Sequence, residues 1–126
     1  MPPSKKRSDL PGRKISETLL RFAGPLLEAL DSDATESQME EPLMVAWTIW
    51  NAVVWADAVA DRRCLEEVRR SAAVRDPALA TFMEVLIERK RRLFGDDHRL
   101  IGEYRLIRVG GEIRLQADAR DPRRTV

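Results

Sequence analysis

Residues 43–60 read LMVAWTIWNAVVWADAVA, eighteen positions carrying a single charge, Asp57. At helical spacing Leu43, Trp47, Trp50, Val54 and Ala58 mark one face, while Val45, Ile49, Ala52, Ala56 and Val59 cover the opposite one. A helix that is apolar on every side is a central helix, enclosed by its own chain or by a second copy. The apolar run from Leu43 to Ala56 is interrupted by Thr48 and Asn51, and at fourteen residues it falls short of the roughly 20 needed to span a bilayer. A buried helix is therefore expected, with no membrane partner.

Upstream, Thr35 and Gln38 form a capping-box pattern that places the helix start near Glu36, with a restart expected at Pro42. Further back, Ile15, Leu19, Phe22, Ala23, Leu26 and Leu30 recur every three or four residues behind Ser16, read as an N-cap. Gly24-Pro25 interrupts this stripe and predicts a kink or two short helices, ended by Asp31-Ser32-Asp33. Residues 1–14, with three prolines and the cations Lys5, Lys6, Arg7, Arg13 and Lys14, have no periodic apolar residues and read as a flexible basic arm.

Downstream, residues 62–74 predict a surface helix with Leu65, Val68 and Ala72 inward and Glu66 paired with Arg69 or Arg70. Asp76-Pro77 restarts the chain as an N-cap followed by a first-turn proline. Leu79, Phe82, Met83, Leu86 and Leu93 or Phe94 then form a stripe that Gly95 stops. Gly110-Gly111, between runs at 103–109 and 112–119, is a two-residue hairpin signal. Pairing across it gathers Tyr104, Leu106, Ile113, Leu115 and Ala117 on one face. Glu103, Arg105, Ile107, Arg114, Gln116 and Asp118 fall on the other.

The 126 residues fit one domain with a hydrophobic share of 44% and a charged share of 34%, a globular balance. Lys and Arg number 22 against 21 Asp and Glu, without the basic excess of a dedicated nucleic-acid binder. The charges are segregated, though. Against the basic arm stand Glu28, Asp31, Asp33, Glu36, Glu40 and Glu41, with no cation among residues 28–41. Cys64 is a lone cysteine and no signal peptide is evident, which points to a reducing, cytoplasmic setting.

Catalytic and metal chemistry find little support. His98, in Asp96-Asp97-His98, lacks the company that zinc or di-iron sites require. Asp57 and Asp61, one turn apart, could hold magnesium or move a proton. The competing expectation is that Asp57 pairs with an arginine and Asp61 emerges into solvent near Arg62. Cys64 sits beside Arg62 and Arg63, yet no triad or Gly-rich phosphate loop accompanies it. Asn51 is expected to bond across the bundle. No catalytic residue, cofactor or metal site is assigned.

The expected fold is mainly α: a bundle of about four helices over residues 15–96 around the 43–60 helix. A β-hairpin over 97–119 and a basic tail over 120–126 complete it. The expected function is that of a non-catalytic interaction module, a self-associating subunit or regulator. Its candidate interface residues are Trp47, Trp50, Trp55, Tyr104, Ile107 and Val109. The alternative is a nucleic-acid accessory protein gripping phosphate through Lys5, Lys6, Arg7, Arg89, Lys90, Arg91 and Arg92.

Overall fold

The computed structural model describes residues 14–30 and 33–122, so all of the predicted arm but Lys14 and most of the predicted basic tail lie outside the described residues. Five helices precede an antiparallel hairpin: α1 (Ile15–Phe22), α2 (Gly24–Leu27), α3 (Glu36–Ala58), α4 (Arg63–Arg75), α5 (Pro77–Leu93), β1 (Leu100–Val109) and β2 (Glu112–Arg120). This is a small helical bundle with a C-terminal hairpin, and five helices appear because Gly24-Pro25 divides the first stripe in two. No helix among the described residues is long and apolar enough to cross a membrane.

α3 is the hub. Leu43, Ala46, Ile49, Trp50, Ala52, Val53 and Val54 are buried, with members on both predicted faces, while Met44 on the same helix is 52% exposed. Its capping box is complete: the Gln38 amide N–H donates to Thr35 Oγ1 at 3.3 Å, and the Thr35 amide donates to Gln38 Oε1 at 2.8 Å. Pro42 lies inside one continuous helix rather than restarting it. More than one turn of capped helix already stands before it, and the packing that follows outweighs one missing N–H. The chain leaves α3 through Ala60, whose φ of 60° is left-handed.

Around this hub, Ile15, Leu19, Phe22 and Ala23 close one side. Phe22, Trp50 and Phe94 meet edge to face with centroids 5.4, 5.6 and 6.0 Å apart, the favoured geometry for aromatic quadrupoles. Lys14 rather than Ser16 is the N-cap of α1, without a side-chain bond, and Thr18 joins the core because it shares the inward face. α4 buries Leu65 and Ala72. Its arginines do not choose Glu66. Arg69 spans to Glu84 of α5 at 2.7 Å, and Arg70 pairs with Glu67. The N-cap of α5 forms as expected, Asp76 Oδ1 accepting from the Ala78 amide at 3.0 Å. At its far end Phe94 is buried and Leu93 exposed.

The hairpin has the predicted register, Val109 opposite Glu112 and Tyr104 opposite Ala117. Gly110 and Gly111 take φ of 58° and 86°, the left-handed pair that a tight two-residue turn demands. β1 begins at Leu100, three residues before the predicted start. A bulge between Ile101 and Tyr104 separates the two portions. Asp118 Oδ1 accepts the Glu103 amide at 2.8 Å there, and a Cβ on Gly102 would stand 2.5 Å from Asp118 Oδ2. The bulge thus takes glycine at 102 and a carboxylate opposite it.

Candidate interaction surface

α3 and β1 lie side by side in opposite directions. The contacts run from Asn51 against Ile101 to Glu36 against Arg108. Fifteen helical rises span about 22 Å, and seven strand rises about 23 Å, so the two elements stay level along their shared length.

The inner half of this pairing is sealed by side chains that read main chain. Asn51 Nδ2 donates to the Ile101 carbonyl at 2.9 Å, and Asn51 Oδ1 accepts the Ile101 amide at 2.8 Å. One carboxamide thereby takes the place of a neighbouring strand's peptide group. Trp47 Nε1 lies 2.9 Å from the carbonyls of both Ile101 and Gly102, and Trp50 Nε1 donates to the Arg99 carbonyl at 2.7 Å. Residues 47, 50 and 51 share a helix face because they are three and four apart. Asn51, expected to bond across the bundle, is paired instead with the hairpin strand.

A second fastening lies behind Trp50. Lys90 is only 2% exposed, and its ammonium donates to the carbonyls of Phe94 and Asp97 at 2.8 and 2.9 Å and sits 4.3 Å from the Trp50 ring centroid. Burial lowers its pKa to about 8, against the opposing attraction of Asp97 and Asp57. Asp97, also buried, accepts both Nε and Nη2 of Arg99 at 2.9 and 2.6 Å, and Arg99 Nη2 reaches Thr18 Oγ1 at 3.4 Å. These bonds fix the loop that delivers β1 to α3.

The candidate phosphate cluster is thus taken apart. Lys90 is interior, a correction to its surface assignment. It falls on the inward face three residues past Ile87 and four past Leu86, a spacing from which its burial could have been read. Arg89 donates to the carbonyls of Arg21 and Phe22, satisfying the end of α1. Arg91 grips Asp57 through two bonds of 2.9 and 3.0 Å. Of the four, Arg92 alone is exposed without a partner among the described residues. Lys5, Lys6 and Arg7 lie outside the described residues.

The carboxylate pair divides as well. Asp57 has the arginine partner expected of it, Arg91, whereas Asp61, expected to emerge into solvent near Arg62, is held by Arg63. Hydrogen bonds from the Arg63 side chain and amide hold the Asp61 carboxyl at about 2. His98 is exposed in the loop before β1, and Cys64 is exposed on α4. Among the described residues no three His, Cys, Asp or Glu side chains are grouped to hold a metal ion.

Among the candidate interface residues, Trp50 is fully buried within the chain, so it serves the core and is withdrawn from the surface. Trp47 is half-buried in the seam, its ring 5.9 Å from that of Tyr104. Trp55 is half-buried beside Asp61, Arg63 and Cys64, away from the hairpin. Tyr104 and Ile107 are half-buried on opposite faces of β1, and Val109 is 44% exposed near the turn.

Beyond Gly102 the pairing of α3 with β1 opens into a groove. It is lined by Ser37, Glu40, Glu41, Met44, Tyr104, Arg105 and Leu106. Met44 is 52% exposed. The far end is closed by Arg108, whose Nη2 lies 2.9 Å from Glu36 Oε1, and this bond draws the Glu36 carboxyl below its ordinary range. Burial, with the Glu40 carboxylate next, pushes the Tyr104 phenol up. Among the described residues the sheet has two strands, and no third strand covers β1 along this groove. Comparison with protein-family models, curated proteins and solved structures finds no match to this chain.

Proposed function

We propose that this chain is a non-catalytic protein–protein interaction module of the cytoplasm, a subunit or regulator that associates with its own copies. The observation that carries this reading is the groove between α3 and β1, pinned at Asn51 and at Glu36 and, among the described residues, open between them. Apolar side chains from Met44, Tyr104 and Leu106 lie there beside a strand edge. Such a place offers an extended segment both main-chain hydrogen bonds and side-chain pockets. An isolated two-stranded sheet is marginal, and natural proteins cover or blunt such edges.

The nucleic-acid reading draws less support. Lys90 is buried, and Arg89 and Arg91 are committed to intramolecular partners. It then rests on Lys5, Lys6, Arg7 and Arg92 alone.

Sedimentation velocity on the full chain over a wide concentration range tests the proposal. The wild type should shift from monomer to a larger species, and Met44→Asp should abolish the shift while leaving the circular dichroism spectrum unchanged. A wild type that stays monomeric throughout would overturn it.

A further inference from the structure

The groove carries more information than its apolar floor. Glu40 and Glu41 are both exposed on its α3 wall, and neither joins an ion pair among the described residues. Arg105, the cation among the lining residues, donates instead to Gln116 Oε1 at 3.1 Å. The cleft therefore pairs two uncompensated carboxylates with a strand edge. The segment that complements it is extended, carries closely spaced cations, and has no proline where it must donate to the ladder.

This sequence contains such a segment. Residues 4–10, Ser-Lys-Lys-Arg-Ser-Asp-Leu, are free of proline between Pro3 and Pro11 and hold three cations in a row. In an extended chain Lys5 and Arg7 project to the same side, because side chains alternate. We infer that the Lys5-Lys6-Arg7 segment of a second copy occupies the α3–β1 groove. Its main chain adds to the edge of β1, and Lys5 and Arg7, on one side of it, face Glu40 and Glu41. This rests on the self-association proposed above and names the segment that performs it. Because every copy offers one basic segment and one acidic groove, a reciprocal exchange between two copies satisfies both at once.

Charge exchange in the full-length chain tests the pairing, with sedimentation at low ionic strength as the readout. Reversing the segment (Lys5→Glu, Lys6→Glu, Arg7→Glu) should weaken association by about tenfold or more. Reversing the wall (Glu40→Lys, Glu41→Lys) should do the same. Combining the two sets in one chain should recover most of the loss, since the charges complement again with signs exchanged. Glu40→Gln with Glu41→Gln, which keeps side-chain size, should give a smaller weakening in the same direction. Circular dichroism on each variant separates lost contact from lost fold. Three results contradict the inference in different ways. If segment reversal leaves association intact while Met44→Asp abolishes it, the groove remains an interface but another segment fills it. If the combined variant does not recover, the two charge sets do not meet. If the wild type never associates, the proposed function fails together with its occupant.

Discussion

The two halves of the α3–β1 pairing are level in length and opposite in construction. Toward Asn51, three side chains satisfy the main chain of residues 99–102, and behind them Lys90 and Asp97 fix the loop. Toward Glu36, the one ion pair that bridges the elements among the described residues is Arg108 with Glu36, and both side chains are substantially exposed. Gly102 and its bulge mark the change from one regime to the other. The difference teaches that one helix and one strand can divide their labour. The inner half anchors the hairpin, and the outer half is left with an edge and a cleft.

Substitutions can break that contrast, and the largest loss should come from the inner half. Trp50→Ala removes a fully buried indole together with its bond to the Arg99 carbonyl, so it should cost about 3–5 kcal/mol by denaturant titration. A loss under about 1 kcal/mol would mean that the aromatic cluster is not the anchor. Asn51→Ala should cost roughly 1–3 kcal/mol, because the Ile101 amide loses its acceptor. It should also raise hydrogen exchange at Ile101 without touching residues near the hairpin turn.

Lys90 gives a pH test of the same inner half. Its proton is held less tightly when folded, with a pKa near 8, than in the unfolded chain, where lysine titrates at about 10.4. Between those values the unfolded chain binds more protons, so this residue makes stability rise with pH across the window and contributes no slope below it. Lys90→Met should remove that rise, read as the difference between variant and wild type. Identical pH profiles for the two proteins would count against the burial of a charged ammonium.

The smallest effect belongs to the outer half. Arg108→Ala should change stability by only about 0–1 kcal/mol, since exposed ion pairs contribute little. A penalty equal to that of Asn51→Ala would erase the distinction between the halves.

Much of this fold was legible beforehand, and the reasons are physical. The apolar surround of α3 leaves no solution except enclosure, and alternation across Gly110-Gly111 fixes both register and inward face. Capping at Thr35 and Asp76 depends on three or four adjacent residues, so it too could be read locally. The polar tips of the inner seam could not. Trp47 and Trp50 announce volume, but which carbonyl each indole meets depends on where the 96–99 loop sets β1. The Arg89–Arg92 run looks like one basic surface because charge is counted along the chain, whereas a helix sends Lys90 inward and Arg92 out. The bulge at Gly102 had a faint signal, a lone glycine at the head of a strand run, that periodicity alone does not weigh. The groove had none, since it arises where α3 and β1 part.

Amide hydrogen exchange along β1, followed as protein concentration rises, measures both halves at once. The account predicts strong protection at Ile101 at every concentration, because Asn51 supplies its acceptor within the chain. In the stretch from Tyr104 to Arg108, amides directed away from β2 should exchange quickly when dilute and become protected as copies meet. Uniform protection along β1 that does not respond to concentration would contradict it, leaving the outer edge already satisfied and without need of a partner.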